Sequence, residues 1–267
     1  MTKISELMDL TGRNALITGG AGFIALALEE SLCELGANII IADLDYDACI
    51  NRTKYLRDKG NGRVEPLRID LLDEKKTRSS AKESVMLFGG LDIFIHCAAY
   101  VGTTDLKGWA APFEKQELSA WDAAMRVNLS SAFVIAQELS NDLAASGHGS
   151  IILLSSIYGM VGPDMSLYKD TNMANAAGYN ASKAGILQLM RYLATVLAPK
   201  IRVNAITPGG VWRNQPEIFH ERYKKRTPLN RMATEEDFKG AVAYLASDLS
   251  SYVTGHNLVV DGGWTAW

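Results

Sequence analysis

Residues 14–25 read Asn-Ala-Leu-Ile-Thr-Gly-Gly-Ala-Gly-Phe-Ile-Ala, a short apolar run of strand type that breaks into glycines and resumes with a helical pattern. Glycines in such a turn lie at a helix N-terminus, where free N–H groups and the helix dipole stabilise negative charge. Gly19 permits the tight turn, Gly22 lets the backbone approach a pyrophosphate, and Ala25 takes a third glycine position that mainly sets helix-to-strand packing. The bland alternative is an ordinary strand-to-helix connection. Asp43 ends the next apolar run, where a carboxylate can accept from both ribose hydroxyls of an adenosine and would repel a 2'-phosphate, which favours NAD over NADP. Its alternative is a helix N-cap, a role that Asp45 could equally fill.

Working outward, runs of the same kind recur at Asn14–Thr18, Asn38–Ala42, Val64–Ile69, Leu91–Cys97, Ser150–Ser155, Ile201–Ile206 and Asn257–Val260, with helical patterns between them. Nearly continuous apolar strands separated by helices predict an α/β fold: a doubly wound, seven-stranded parallel sheet with helices on both faces. No linker, repeat or low-complexity tract divides residues 1–267, so a single domain is expected. Two irregular stretches, Val161–Ala177 and Pro208–Thr234, follow strands at their carboxyl ends, where open α/β sheets bind ligands; both are candidate walls of a substrate pocket.

Hydrophobic residues make up 48% of the chain and charged residues 21%, which predicts a folded core rather than disorder. A net charge of -3 argues against a general nucleic-acid surface and leaves small molecules as the expected partners. Cys33, Cys49 and Cys97 lie in apolar stretches without C-x-x-C spacing, and the four histidines form no ligand pair, so reduced thiols and no metal site are expected. The first residues lack a signal-peptide core and no apolar run is long enough to span a bilayer, so the expected location is the cytoplasm.

Tyr179 and Lys183 begin a helical pattern four residues apart, on one helix face. An ammonium beside a phenol favours the phenolate and lowers its pKa toward the range of a general base. Tyr55 and Lys59 have the same spacing, but their place in the helix after the second strand puts them away from any substrate. Ser156 ends the fifth strand and could hydrogen-bond a substrate oxygen. Asn128, within the helical segment Trp121–Leu139, reads either as a solvent-facing residue or as a buried one bridging backbone and water to Lys183.

Thr18-Gly19 to Ala25, Asp43, Asp70, His96-Cys97-Ala98-Ala99, Asn128, Ser156, Tyr179-x-x-x-Lys183, Asn204-x-x-x-Pro208-Gly209 and Asp261-Gly262-Gly263-Trp264 occur in the order found in the short-chain dehydrogenase/reductase family, which the chain resembles over essentially its whole length. The resemblance implies a Rossmann sheet with strand order 3-2-1-4-5-6-7, Tyr179 as acid/base, and Lys183 holding the nicotinamide ribose while depressing the tyrosine pKa. It also implies Ser156 positioning the reacting oxygen, Asn128 supporting a proton relay, Asp70 at the adenine and Pro208-Gly209 beside the nicotinamide. Phe23, Ile24, Leu71, Cys97, Ala98, Ala99 and Val211 complete the implied cofactor wall, and tetramers or dimers built on Phe133–Leu143 and Ala184–Leu197 are implied with them. Departures are His96-Cys97-Ala98-Ala99 where the family commonly has N-N-A-G, Phe23 and Ala25 in the glycine turn, a longer gap between Ser156 and Tyr179, and Arg213 near a position where a threonine often binds the carboxamide.

Arg213, Arg222, Lys224, Lys225, Arg226 and Arg231 follow the sixth strand with only Glu217 and Glu221 among them, so they read either as a solvated face or as a lid for an anionic substrate. Polar residues of the added stretch, among them Tyr168 and Asn172, suit a hydroxylated ligand such as a sugar, and the pattern is similar to sugar dehydrogenases and to enzymes of bacterial surface-glycan pathways. Two rivals are an idle NAD-binding sensor or scaffold, whose mark would be loss of Tyr179, Lys183 or Ser156, and a sugar-nucleotide epimerase, which resembles a longer chain with a C-terminal substrate domain.

Overall fold

Successive residues of a strand point to opposite faces, so a strand that is apolar at every position must be covered on both sides. The computed structural model, which describes residues 1–267, meets that demand. A short helix, α1 (Ile4–Met8), precedes β1 (Asn14–Thr18), α2 (Phe23–Glu34), β2 (Asn38–Asp43), α3 (Tyr46–Leu56), β3 (Val64–Arg68), α4 (Glu74–Phe88) and β4 (Ile93–His96). The second half runs α5 (Leu118–Met125), α6 (Ser131–Ala145), β5 (Gly149–Leu154), α7 (Ala177–Val196), β6 (Ile201–Pro208), α8 (Glu217–Arg226), α9 (Lys239–Ala246) and β7 (Asn257–Val260). All seven strands form one parallel sheet in the order β3-β2-β1-β4-β5-β6-β7, as the resemblance implies.

Leu16, Ile40, Phe94 and Ile151 pack on one face against Ile135 and Leu139 of α6 and Ile186 and Met190 of α7. Their sequence neighbours Ile17, Ile41, Ile95 and Ile152 pack on the other face against Leu28 and Leu32 of α2 and Val242 and Leu245 of α9. Fully burying one such side chain contributes about 1.5–3 kcal/mol, and both faces are filled with them. No helix is long and apolar enough to cross a membrane.

Local details decide two readings that the sequence leaves open. Asp45, not Asp43, caps α3, its side chain accepting from Ala48 N at 3.0 Å, so the Asp43 carboxylate at the tip of β2 is released from that duty. The helical segment around Asn128 is interrupted: a π-helical turn, Arg126–Ser130, separates α5 from α6, and Asn128 within it is fully buried.

The two irregular stretches pack on each other. Leu167 from the first joins Phe219, Tyr223 and Met232 from the second in a small core closed by Ile157 and Trp264. A parallel bridge between Val211 and Ala233 closes the base of the second stretch.

Candidate active site

Gly19 adopts a φ of +68°, the left-handed region that favours glycine, and a Cβ there would lie 2.6 Å from Ala98 Cα. The turn therefore presses directly on the end of β4, and the first-turn amides of α2 face an open cleft of about 350 Å3. Gly19, Gly22, Phe23, Ile24, Asp43, Asp70, Leu71, Cys97, Ala98 and Ala99 all line it. Tyr179, Lys183, Pro208, Gly209 and Val211 do not. Gly209 lines a separate cavity of about 100 Å3 with Tyr223, Arg231, Asp237 and Asp261.

Asp43 is oriented by the turn it faces: one oxygen accepts from Ala21 N at 3.1 Å, the other from Asp45 N at 3.3 Å. A carboxylate offers about four acceptor positions, so capacity for ligand hydroxyls remains. Asp70 is held by Leu72 N at 3.2 Å and Lys76 Nζ at 3.1 Å.

The turn is also braced from behind. The Arg52 guanidinium donates to the carbonyls of Gly20 at 3.2 Å, Ala21 at 3.3 Å and Gly22 at 3.2 Å, and to Glu29 Oε2 at 2.8 Å. Glu29 is fully buried in α2, and burial pushes its carboxyl up to about 8 against the pull of Arg52.

The second cluster forms where β5 ends. Ser155 Oγ donates to Lys183 O at 2.8 Å, and a Cβ on Gly159 would lie 2.6 Å from the same carbonyl, so the strand end and α7 are in close contact. That contact brings Ser156 and Tyr179 together, and hydrogen bonding from Ser156 favours the ionised phenol. Lys183 Nζ donates to Leu154 O at 2.7 Å and stands 5.8 Å from the centroid of the Tyr179 ring. One expectation needs correction: the Tyr179 phenol is shifted up rather than down, because burial outweighs the pull of Ser156. Lys183 is itself buried and falls to about 8, which weakens it as a fixed positive charge.

Asn128 proves to be the buried kind. Its Oδ1 accepts from Tyr100 N at 2.7 Å and its Nδ2 donates to Ser182 Oγ at 3.0 Å, tying the exit of β4 to the helix that carries Tyr179 and Lys183; its side chain makes no direct hydrogen bond to Lys183. Tyr55 and Lys59, by contrast, form a surface pair, with Tyr55 donating to Glu30 Oε1 at 2.7 Å. His96 is buried beside Thr18, its Nδ1 2.9 Å from Thr18 Oγ1, and burial drives its pKa down to about 3, so it stays neutral.

The basic stretch, read either as a solvated face or as a lid for an anion, is largely paired with carboxylates. Arg213 pairs with Glu235 at 3.0 Å, Arg222 with Asp170 at 3.5 Å, Arg226 with Asp164 at 3.1 Å and Arg231 with Asp237 at 2.6 Å, while Lys224 takes Glu221. Asp164 and Asp170 come from the added stretch, so these ion pairs join the two loops. The same stretch brings Tyr168 OH within 2.8 Å of Tyr158 OH and 3.3 Å of Asn175 Nδ2.

Sequence reasoning missed Arg52 and Glu29, which carry no motif, and missed Leu44, Leu72, Tyr100, Val101 and Val127 as cleft residues. Their only signal is position after a strand or in a helix beside it, which many other residues of the chain share.

A family model described as "Enoyl-(Acyl carrier protein) reductase" matches residues 20–265. The chain is 33% identical over 259 residues to "Cis-4-hydroxycyclohexanecarboxylate dehydrogenase" of Sinomonas cyclohexanicum, covering 95% of this chain and 97% of that one. It is 30% identical over 268 residues to "Probable galactose dehydrogenase GalD" of Rhizobium meliloti, covering 97% of each chain. Among solved structures, a short-chain type dehydrogenase/reductase from Mycobacterium marinum superposes with a TM-score of 0.86 at 28% identity over the whole of both chains.

Proposed function

The chain belongs to the short-chain dehydrogenase/reductase family, as the family match and the relatives at 30% identity or more establish, and from that premise we propose that it is an NAD-dependent dehydrogenase acting on a secondary alcohol of a neutral, hydroxylated ring such as a sugar. The observation that carries this reading is the convergence of Ser156, Tyr179 and Lys183 at the carboxyl end of β5, with Lys183 Nζ anchored on Leu154 O at 2.7 Å. Bound NAD would supply the hydride acceptor. The remaining tasks fall to the chain: Ser156 hydrogen-bonds the substrate oxygen, Tyr179 takes or returns its proton, Lys183 holds the nicotinamide ribose, and Asn128 keeps α7 in register with the cleft.

Asp43 supports NAD over NADP, since a 2'-phosphate at the tip of β2 would meet a carboxylate already accepting from Ala21 and Asp45. Pro208, Gly209 and Val211 are assigned to the nicotinamide side. Residues 161–177 and 208–234 form the substrate walls. Their four arginines and Lys224 are engaged with carboxylates, which favours a neutral ligand over an anionic one, and the Tyr158–Tyr168–Asn175 cluster offers hydroxyl-matching groups. The relative named as a probable galactose dehydrogenase supports a place in carbohydrate metabolism.

Purified protein with NAD or NADP and a panel of sugars, sugar acids and simple cyclic alcohols, read at the absorbance of the reduced cofactor, tests this. Faster turnover with NAD on a neutral sugar is expected. Nucleotide binding with no turnover in either direction would instead favour the idle scaffold.

We assign the enzyme to the cytoplasm as a homo-oligomer. Phe133 on α6 and Tyr192 and Val196 on α7 remain 42%, 57% and 52% exposed, apolar surface that a partner copy would cover. A solution mass of two or four times 29.1 kDa is expected by light scattering; a mass of one chain would refute the assembly.

A further inference from the structure

Three charged side chains line the main cleft, Asp43, Asp70 and Arg213, so Arg213 is its one cation. A dinucleotide would bring a doubly negative pyrophosphate into the same space. Lys76 offsets Asp70 at 3.1 Å, but Asp43 is opposed only by backbone amides. Beyond the backbone amides of the glycine turn, Arg213 is therefore the one group of the cleft wall that can offset this charge with a full positive one.

Arg213 is placed to do so. Its guanidinium carbon lies 4.6 Å from the centroid of the Phe23 ring, and Phe23 is the first residue of α2, so the positive group is held on the side chain that opens that helix, and both residues line the cleft. Phe23 is 69% exposed, an apolar ring with no core duty that supports the guanidinium instead. The backbone behind Arg213 is fixed: Trp212 N donates to Ala233 O at 2.9 Å, and Arg213 N donates to Gln215 Oε1, whose amide reaches Val211 O, both at 2.8 Å. Only one side-chain nitrogen, Nη2, is occupied, by Glu235 at 3.0 Å in a part-exposed pair that costs little to exchange.

We propose that Arg213 clamps the pyrophosphate of the bound dinucleotide, swinging a short way from its perch on Phe23, with Glu235 as the competing partner that holds it ready. This rests on the dinucleotide reading of the cleft. Arg213 already links the strap between β6 and α8 to the glycine turn through Phe23, and the clamp adds the ligand to that link, so cofactor binding braces the wall of the substrate pocket.

Calorimetric titration with NADH, ADP-ribose and adenosine tests it without turnover. Arg213→Gln should weaken NADH and ADP-ribose by about tenfold or more, the scale of a lost charge-assisted hydrogen bond, and leave adenosine unchanged. Glu235→Gln should tighten both phosphate ligands, and added salt should weaken wild-type binding more than that of Arg213→Gln. Equal losses for adenosine and ADP-ribose, or no loss for any, would overturn the clamp while leaving the dinucleotide reading in place. A wild-type protein that binds NADH not at all would overturn that reading and the clamp with it.

Discussion

Tyr179→Phe leaves NADH binding within a factor of a few of wild type and lowers kcat by about 10²–10⁴, the range a positioned acid/base contributes. The change removes one oxygen from the third residue of the 20-residue helix α7 and leaves the ring's packing intact, so folding should be preserved. Both partners of the phenol have defined positions: Ser156 at the end of β5, and Lys183 one turn along α7 with its ammonium on Leu154 O. The phenol lies above its ordinary value through burial, so near neutral pH it carries its proton and is ready to donate it to a ketone. Oxidation of an alcohol requires the phenolate, and its rate should therefore rise with pH in wild type and lose that dependence in Tyr179→Phe. Stopped-flow turnover in both directions, with cofactor affinity measured in parallel, checks this. Retained turnover in the phenylalanine variant would remove Tyr179 from the chemistry.

Much of this arrangement is legible in the sequence because the signals are local. Alternation between Leu16 and Ile17, or Ile151 and Ile152, announces a sheet covered on both faces, and glycines at 19 and 22 mark the turn where backbone must approach backbone. Four residues separate Tyr179 from Lys183, which a helix converts directly into a shared face. What the sequence hides is long-range and electrostatic. The cations after β6 look unopposed along the chain, yet Asp164 and Asp170 reach them from a stretch some fifty residues earlier, and Glu235 and Asp237 from just beyond. The expected fall of the Tyr179 pKa fails for a related reason: spacing reports that an ammonium is near, but not that burial lowers the ammonium's own pKa and lifts the phenol's.

Arg52 is the residue whose loss should damage the fold and the cofactor site together, through two effects that pH separates. Its guanidinium supplies donors to three successive carbonyls of the glycine turn and the only partner of Glu29, whose other oxygen, Oε1, has none. Arg52→Met would leave that carboxyl buried and unpaired. Removing one member of a buried ion pair costs about 3–5 kcal/mol when the remaining group stays charged. Glu29 can escape part of that cost by holding its proton: its folded pKa is raised to about 8, above the unfolded carboxyl range, so its favourable contribution is present at acidic pH and is lost as pH rises through about 8. Losing Arg52 removes a force that holds this pKa down, which moves the loss of stability no lower in pH and makes it deeper. Urea unfolding of Arg52→Met should accordingly show a modest deficit at pH 6 that begins to grow once pH passes about 8, by about 1.4 kcal/mol for each further pH unit until Glu29 ionises in the variant too. Adding Glu29→Gln should abolish that growth with pH, because an amide neither titrates nor carries a buried charge. NADH affinity should not return in that double variant, since the carbonyls of Gly20, Ala21 and Gly22 still lack their donor and the turn that aims its amides into the cleft stays slack. A double variant that recovers both stability and affinity would mean that Arg52 serves only to neutralise Glu29; recovery of stability alone would place it as the brace that gives the glycine turn its shape.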